Sequence, residues 1–155
     1  MRTTALSRIL SRATFGDRVT AKLSPFFCKD QIAMTDEKEI TTLMQRYFDG
    51  LYEGDTDKLG TVFHPTCFLT YAQDGKLVSV SRDDWFQAVN NRAKPKDAGL
   101  ARHDDILSID CLDAHTALAK VTCAIPPRFF IDLLSLLKID GRWQVVQKVS
   151  AVSVR

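Results

Sequence analysis

One apolar run near the end of the chain constrains the fold more than any other feature. Residues 129–138 read FFIDLLSLLK, and after Asp140-Gly141 the chain continues with RWQVVQK. Side chains on a strand alternate between two faces, and both faces of this run are apolar. One face carries Phe129, Ile131, Leu133 and Leu137, and the other carries Phe130, Leu134 and Leu136. A sheet with one face in water alternates apolar with polar residues. We therefore predict that helices cover one face and that a second copy of the chain covers the other, as a homodimer packed sheet to sheet.

Asp132 interrupts this apolar run. A buried carboxylate is unfavourable unless it is paired, protonated or used in a reaction. If Asp132 faces a pocket beneath the helices and burial raises its pKa, it can transfer a proton next to a carbonyl group. The alternative is a structural aspartate paired with Lys148, Lys120 or a backbone amide.

The residues before this run predict three helices. The first has Thr35 as its N-cap and ends at Gly54, and the second begins at Asp55 or Thr56 and ends at Pro65. The third opens with the sequence SRDD at residues 81–84, a capping-box pattern with Asp in place of Glu. The apolar residues at helical spacing are Ile40, Leu43, Met44, Tyr47, Phe48, Leu51 and Tyr52, then Leu59, Val62 and Phe63, then Trp85, Phe86 and Val89.

About six strands are predicted beside these helices. Residues 67–72 and 77–80 form a hairpin across an Asp-Gly turn at residue 74. Residues 101–111, 117–125, 129–140 and 142–154 form a meander, with a second Asp-Gly turn at residue 140. Helices and antiparallel strands in this order indicate an α+β fold, with residues 34–155 as one domain.

Composition narrows the classes of function. The body of the chain is mildly acidic, because residues 1–33 contain six Lys or Arg and two Asp within a total net charge of +2. An acidic body is a poor binder of phosphates, so we expect no nucleic-acid partner. No stretch of about 18 apolar residues occurs, so we expect no membrane span. The four cysteines form no Cys-x-x-Cys pair, which favours free thiols in a reducing compartment.

Residues 1–33 differ from the rest and form a basic N-terminal extension. Leu6, Ile9, Leu10 and Ala13 recur at helical spacing, Ser and Thr are frequent, and the first acid is Asp17. This composition is typical of a mitochondrial transit peptide. Two alternatives stay open, an extension upstream of a true start at Met34 and an ordinary disordered tail. We expect a mitochondrial matrix protein if the extension is a transit peptide, and a cytoplasmic protein otherwise.

Several stretches of residues 34–155 are similar to one known family. The chain resembles the nuclear transport factor two-like (cystatin-like) superfamily, and within it the family labelled putative lumazine-binding. The resemblance implies a curved antiparallel sheet wrapped around a long N-terminal helix as a cone-shaped α+β barrel, with a pocket at the open end and usually a dimer. The matching stretches are Tyr47-Phe48 with Gly50, Gly54-Asp55 before Leu59, Phe63-His64-Pro65, Asp74-Gly75, residues 106–109, residues 117–121, residues 130–143 and Lys148.

Three residues are candidates for catalysis. Asp132 is the first, and His64 is the second because it directly precedes a strand that could bring it beside Asp132. Tyr47 is the third, since it matches the tyrosine that this family commonly has on the pocket face of its first helix. Each has a structural alternative: a paired carboxylate, a histidine that caps a helix end, and an ordinary core tyrosine. The predicted pocket-lining residues are Tyr52, Trp85, Phe130, Lys120 and Lys148.

Three functions remain compatible with the sequence. The first is binding of a small apolar or aromatic ligand without turnover. The second is a cofactor-independent isomerase, dehydratase or cyclase that uses Asp132 with His64 or Tyr47. The third is a dimeric protein-interaction module with a filled interior. We expect no cofactor and no metal, because no nucleotide-binding, nucleophile-elbow or zinc motif occurs.

Overall fold

The computed structural model describes residues 25–155, with side chains from Met34 onward. The predicted α+β class is confirmed. The elements are α1 (Pro25–Glu53), α2 (Thr56–Gly60), β1 (Phe63–Gln73), β2 (Lys76–Ser81), α3 (Arg82–Asn91), β3 (Asp105–Cys111), β4 (Thr116–Ile125), β5 (Arg128–Ile139) and β6 (Arg142–Val154). None of the described helices is both long enough and apolar enough to span a bilayer.

The six strands form one mixed sheet in the order β2-β1-β6-β5-β4-β3. Four neighbouring pairs are antiparallel, and β1 pairs with β6 in parallel. The prediction of a wholly antiparallel barrel is corrected in two ways by this topology. The long connection between β1 and β6, through β2, α3 and the meander, lets the last strand run beside the first in the same direction. Because β2 and β3 remain edge strands, the sheet is not closed.

Both Asp-Gly turns were predicted correctly. Asp74 and Gly75 have φ angles of 51° and 74°, and Asp140 and Gly141 have φ angles of 49° and 73°. Positive φ at both central residues is the signature of the type I′ turn, whose twist matches that of the flanking strands. Each turn joins two antiparallel strands directly, so it also fixes their register.

The start of the first helix was predicted wrongly. α1 begins at Pro25 and runs through Thr35, which therefore lies inside the helix and is not its N-cap. Proline is tolerated in the first turn, where its missing N–H has no intrahelical partner. Residues 25–33, assigned to the extension, thus contribute helix to α1, while the predictions for residues 1–24 lie outside the described residues.

The structure also shifts the beginning of β1. This strand starts at Phe63, so α2 is only five residues long and does not reach Pro65. The register against β6 changes between Phe63 and Phe68. An irregularity of this kind accommodates Pro65, which has no N–H to donate to the ladder.

The two faces of the sheet differ in what covers them. On β5 the buried face carries Asp132, Leu134 and Leu136, and we call this side the inner face. It packs with the apolar stripe of α1, whose buried members are Ile40, Leu43, Met44, Tyr47, Phe48 and Leu51. The opposite, outer face exposes apolar side chains in the single chain, namely Phe68, Ile131, Leu133, Leu137 and Val149.

Candidate functional site

The inner face contains a connected group of polar side chains, here called the inner polar cluster: Tyr47, Asp132, Lys148 and Ser150. Tyr47 Oη donates to Asp132 Oδ2 at 2.7 Å, and Lys148 Nζ lies 2.9 Å from the same oxygen. Ser150 Oγ donates to Asp132 Oδ1 at 2.7 Å. Lys148 Nζ also donates to Tyr47 Oη, so the phenol accepts one hydrogen bond and donates another.

Local structure explains how three distant segments meet here. Tyr47 lies on the buried stripe of α1. Asp132 is directly opposite Ser150 in the β5–β6 ladder, and Lys148 is opposite Leu134, two residues further along β5. Because side chains two residues apart share a face, Lys148 and Ser150 both point to the side that carries Asp132.

Burial and charge fix the ionisation of the inner polar cluster. Asp132 and Tyr47 have no exposed surface, and Lys148 is 5% exposed. Burial alone raises the pKa of Asp132, but the charge of Lys148 and the hydrogen bonds from Lys148, Ser150 and Tyr47 bring it below its ordinary value. Burial, followed by the charge of Asp132, raises the pKa of Tyr47 well above its ordinary value. The cluster therefore holds an aspartate anion and a neutral phenol.

Aromatic rings surround the ammonium group of Lys148. Its Nζ lies 5.1 Å from the ring centroid of Tyr47, 5.4 Å from that of Trp85 and 5.9 Å from that of Phe130. The faces of aromatic rings attract cations. These rings therefore help to compensate the loss of water around a buried ammonium group, alongside the ion pair with Asp132.

A cavity of about 370 Å³ lies at one end of the sheet, where β4 ends, β5 begins and β6 ends. Its lining comes from both faces and includes Cys123 and Phe130 of the inner face, Ile131 of the outer face, and His103 and Arg155. The four residues of the inner polar cluster lie behind this lining. Two lining residues connect it to the cluster, since Cys123 Sγ donates to Asp132 Oδ2 at 3.4 Å and Phe130 packs beside Lys148. Burial raises the pKa of the Cys123 thiol to about 12, so the thiol stays protonated.

The structure brings five of the predicted site residues together. Asp132, Tyr47 and Lys148 are in direct contact, and Trp85 and Phe130 flank Lys148. Among the three partners considered for Asp132, the structure selects Lys148 and adds hydrogen bonds from Tyr47 and Ser150.

Three predicted residues lie elsewhere. His64 is in the irregular first part of β1, where its Nδ1 is 2.7 Å from Thr66 Oγ1, and it does not reach Asp132. Lys120 is exposed between the buried Ala119 and Val121 of β4, so it points away from the inner face. Tyr52 is half-buried beneath the guanidinium of Arg102, which lies 5.1 Å from its ring.

Sequence reasoning missed Ser150, Cys123 and Arg92. Ser150 had a usable signal, because it lies two residues after Lys148 on a predicted strand and must share its face. Cys123 needed the β4–β5 register, which places it opposite Phe130. Arg92 directly follows α3, and no periodic pattern marks its contacts.

Comparison with known proteins agrees with this architecture. Residues 35–150 match the family model described as "Putative lumazine-binding", and the chain belongs to that family. An NTF2-like protein from Shewanella baltica has a TM-score of 0.71 at 22% identity, covering 79% of this chain and 97% of that one. An NTF2-like protein from Silicibacter pomeroyi has a TM-score of 0.69 at 23% identity, covering 78% and 98%. The resemblance found in the sequence is thereby confirmed.

A curated protein also matches part of the chain. It is the aldolase FrzH of a Cladobotryum species, which is 25% identical over 105 residues and covers 66% of this chain and 80% of its own length.

Proposed function

We propose that this protein binds a small, largely apolar molecule against the inner face of the sheet, where the inner polar cluster orients it. The observation that supports this most directly is that two residues lining the cavity, Cys123 and Phe130, contact a carboxylate and a lysine that form one hydrogen-bonded group with Tyr47. Binding sites for small molecules are mostly apolar cavities with a few polar groups in fixed positions.

The ionisation of Asp132 favours binding over proton transfer by this residue. A general base or acid works best when its pKa lies near the working pH. The pKa of Asp132 is lowered instead, because the charge of Lys148 and hydrogen bonds from Lys148, Ser150 and Tyr47 hold the carboxylate ionised despite its burial. A carboxylate that stays ionised is suited to hold the side chains of Tyr47 and Lys148 in fixed positions for binding a ligand.

Native mass spectrometry of the protein purified without denaturation tests the proposal. We expect a retained small molecule, or at least stabilisation by members of a library of small aromatic compounds in a thermal-shift assay. The Tyr47→Phe variant should bind such compounds more weakly, and the matched control His64→Ala should bind them like the unmodified protein. Failure of every compound to bind, together with no retained molecule, would overturn the proposal.

A second candidate function is a cofactor-independent enzyme that acts on a carbonyl compound, and the bonding of Tyr47 favours it. Its phenol lies between a cation and a carboxylate, and if its single O–H turns from Asp132 to a substrate it can donate to an oxygen on which negative charge develops. Isomerisation, dehydration, cyclisation and the aldol reaction implied by the name of the Cladobotryum relative all develop such charge.

Exchange of ketone α-protons for deuterium, followed by NMR, tests this second candidate function. The unmodified protein should accelerate exchange, and the Tyr47→Phe variant should not.

We also propose that the outer face of the sheet forms a homodimer. Four apolar side chains on the adjacent strands β5 and β6 each expose more than a third of their surface: Ile131, Leu133, Leu137 and Val149. Apolar patches of this kind mark interfaces.

Analytical ultracentrifugation should show a dimer, and the Leu133→Lys variant should dissociate it. Leu112→Lys, in the loop between β3 and β4, is the matched control and should leave the mass unchanged. A monomeric unmodified protein would contradict this proposal.

A further inference from the structure

Arg92 contains an unsatisfied buried donor. Its Nε is buried without a hydrogen-bond partner, and no other buried side-chain nitrogen or oxygen in the described part of the chain shares this state. Its Nη2 donates to the carbonyl oxygen of Leu51 at 3.5 Å, at the limit of a hydrogen bond. A buried donor left unpaired is destabilising, so native structures rarely contain one without a compensating role.

Arg92 also has no counter-ion among residues 34–155. Each of the other Lys or Arg side chains that is buried or half-buried in the described residues has an acidic partner: Lys58 has Glu53, Arg82 has Asp83, Lys138 has Asp36 and Lys148 has Asp132. Arg92 has none and instead lies near a second arginine. Burial lowers the pKa of Arg92, and the positive charge of Arg128 lowers it further. Neither arginine forms an ion pair within residues 34–155.

The acids of α1 cannot supply the missing charge. Asp49 is paired with Arg102, and Glu53 is paired with Lys58 and Lys96. Asp30 lies on the same helix as Leu51 but 21 residues before it, which corresponds to about 30 Å at the rise of an α-helix. The acids of α1 nearest to Leu51 are therefore already paired with other cations.

The two arginines lie near residues that line the cavity, Arg92 near Cys123 and Arg128 near Phe130. Tyr47 and Cys123, which belong to or touch the inner polar cluster, are within electrostatic range of Arg92. The guanidinium of Arg128 is 6.0 Å from the ring centroid of Phe130, and Lys148 Nζ is 5.9 Å from the same centroid. Phe130 thus provides an apolar surface that lies close to both Arg128 and Lys148 of the cluster.

We propose that Arg92 and Arg128 bind a carboxylate group of the ligand, whose apolar body packs on Phe130 and whose other end faces the inner polar cluster. Guanidinium groups bind carboxylates through paired, charge-assisted hydrogen bonds. A singly charged carboxylate also loses less hydration than a phosphate dianion when it enters a site with an apolar wall. The ligand class is therefore a small aromatic or aliphatic acid, and this inference rests on the proposed binding function.

Calorimetry with matched probes tests the inference. The probes are ω-phenylalkanoic acids of increasing chain length, each compared with its neutral amide. At least one acid should bind the unmodified protein about tenfold or more tightly than its amide, which is the scale of one charge-assisted pair. Arg92→Met should abolish this preference and Arg128→Met should reduce it. Arg142→Met, at the exposed start of β6, should leave it unchanged.

Chemical denaturation separates recognition from a structural role. If Arg92 is held for a ligand, Arg92→Met removes an unsatisfied donor and should leave the unfolding free energy equal or higher, whereas a structural arginine would lower it. Should Arg92→Met fail to fold, Arg92→Lys provides the second variant, because it keeps the charge but loses the paired donors.

The outcomes distinguish the two proposals. Amides that bind as tightly as the acids, with binding that still depends on Tyr47, would overturn the carboxylate site and leave the binding function standing. A preference for acids that persists in both Arg92→Met and Arg128→Met would also overturn the carboxylate site. If neither acids nor amides bind, both proposals fail.

Discussion

Two buried aspartates, Asp36 and Asp132, share much of their chemistry and differ in their surroundings. Each is almost fully buried and accepts a hydrogen bond from a lysine. In each, burial raises the pKa and the bonded groups then bring it below the ordinary value. Asp36 accepts hydrogen bonds from Lys138 Nζ at 2.7 Å and from Trp143 Nε1 at 3.2 Å, and both donors lie near the β5–β6 turn.

The partners reveal the difference between the two sites. Lys138 is partly exposed and also reaches Glu39, so the Asp36 group joins α1 to the β5–β6 hairpin at the surface. Lys148 is enclosed by aromatic rings and bonds the same phenol as its aspartate, and one of those rings, Phe130, lines a cavity. Burial of an acid is therefore weak support for a functional site. A neighbouring cavity and polar groups that can turn toward a ligand are stronger support.

The largest expected effect is on the stability of the Asp132 site. Lys148→Met leaves a fully buried carboxylate without its cation, which costs about 3–5 kcal/mol. Urea denaturation at neutral pH measures this loss. The double variant Asp132→Asn/Lys148→Met should recover a large part of it, because no charge is then left unpaired. A loss below about 1 kcal/mol in Lys148→Met would show that the ion pair is not truly enclosed.

The second effect is the dependence of stability on pH. The pKa values of Asp36 and Asp132 are both lowered in the folded state. Each aspartate therefore stabilises the fold above its unfolded-state pKa of about 3.9. That contribution is lost as the pH falls through the lower folded-state value. Asp132→Asn should reduce the loss of unfolding free energy at acidic pH more than Asp36→Asn does, because Asp132 accepts hydrogen bonds from more donors. Unfolding free energies measured from neutral to acidic pH test this, and equal slopes for both variants would remove the distinction.

A smaller effect is expected at the surface pair. Lys138→Met should cost about 1 kcal/mol, since its ion pair is partly solvated and Asp36 keeps the hydrogen bond from Trp143. Thermal and urea denaturation measure the change. A loss as large as that of Lys148→Met would mean that the two acids are equivalent.

The smallest effect is expected at His64. Its ring bonds Thr66 within the same strand and has no link to Asp132. His64→Ala should change the unfolding free energy by no more than about 0.5 kcal/mol and leave ligand binding unchanged. A loss of binding would return His64 to the site and contradict its observed position.

The features that sequence predicted well are those set by nearby residues. The apolar stripe of α1, the Asp-Gly turns and the Ser81 cap each depend on spacing within a few residues, and all are observed. The outward and inward sets of β5 also follow from alternation alone. These signals were enough to fix the α+β class and to place Asp132 on a covered face.

The features that sequence missed depend on contacts between distant segments. α1 extends back to Pro25 although a good capping sequence occurs at residues 35–37, so a local start signal does not by itself end a helix. Deciding which lysine pairs with Asp132 required the register of β4 against β5. That register places Lys120 opposite the outward-facing Leu133, and Val121 opposite Asp132. Arg92 follows a helix end, where no periodicity indicates the direction of a side chain.

The parallel pairing of β1 with β6 has a consequence for the order of folding. Each hairpin can form from neighbouring residues, but Leu69 pairs with Lys148, which the chain reaches only near its end. Contacts between such distant residues form slowly, because a long loop must close first. The same strand supplies Lys148 and Ser150 to the inner polar cluster. Docking of the last strand therefore completes the sheet and the proposed binding site in one event, so a chain with β6 undocked has neither.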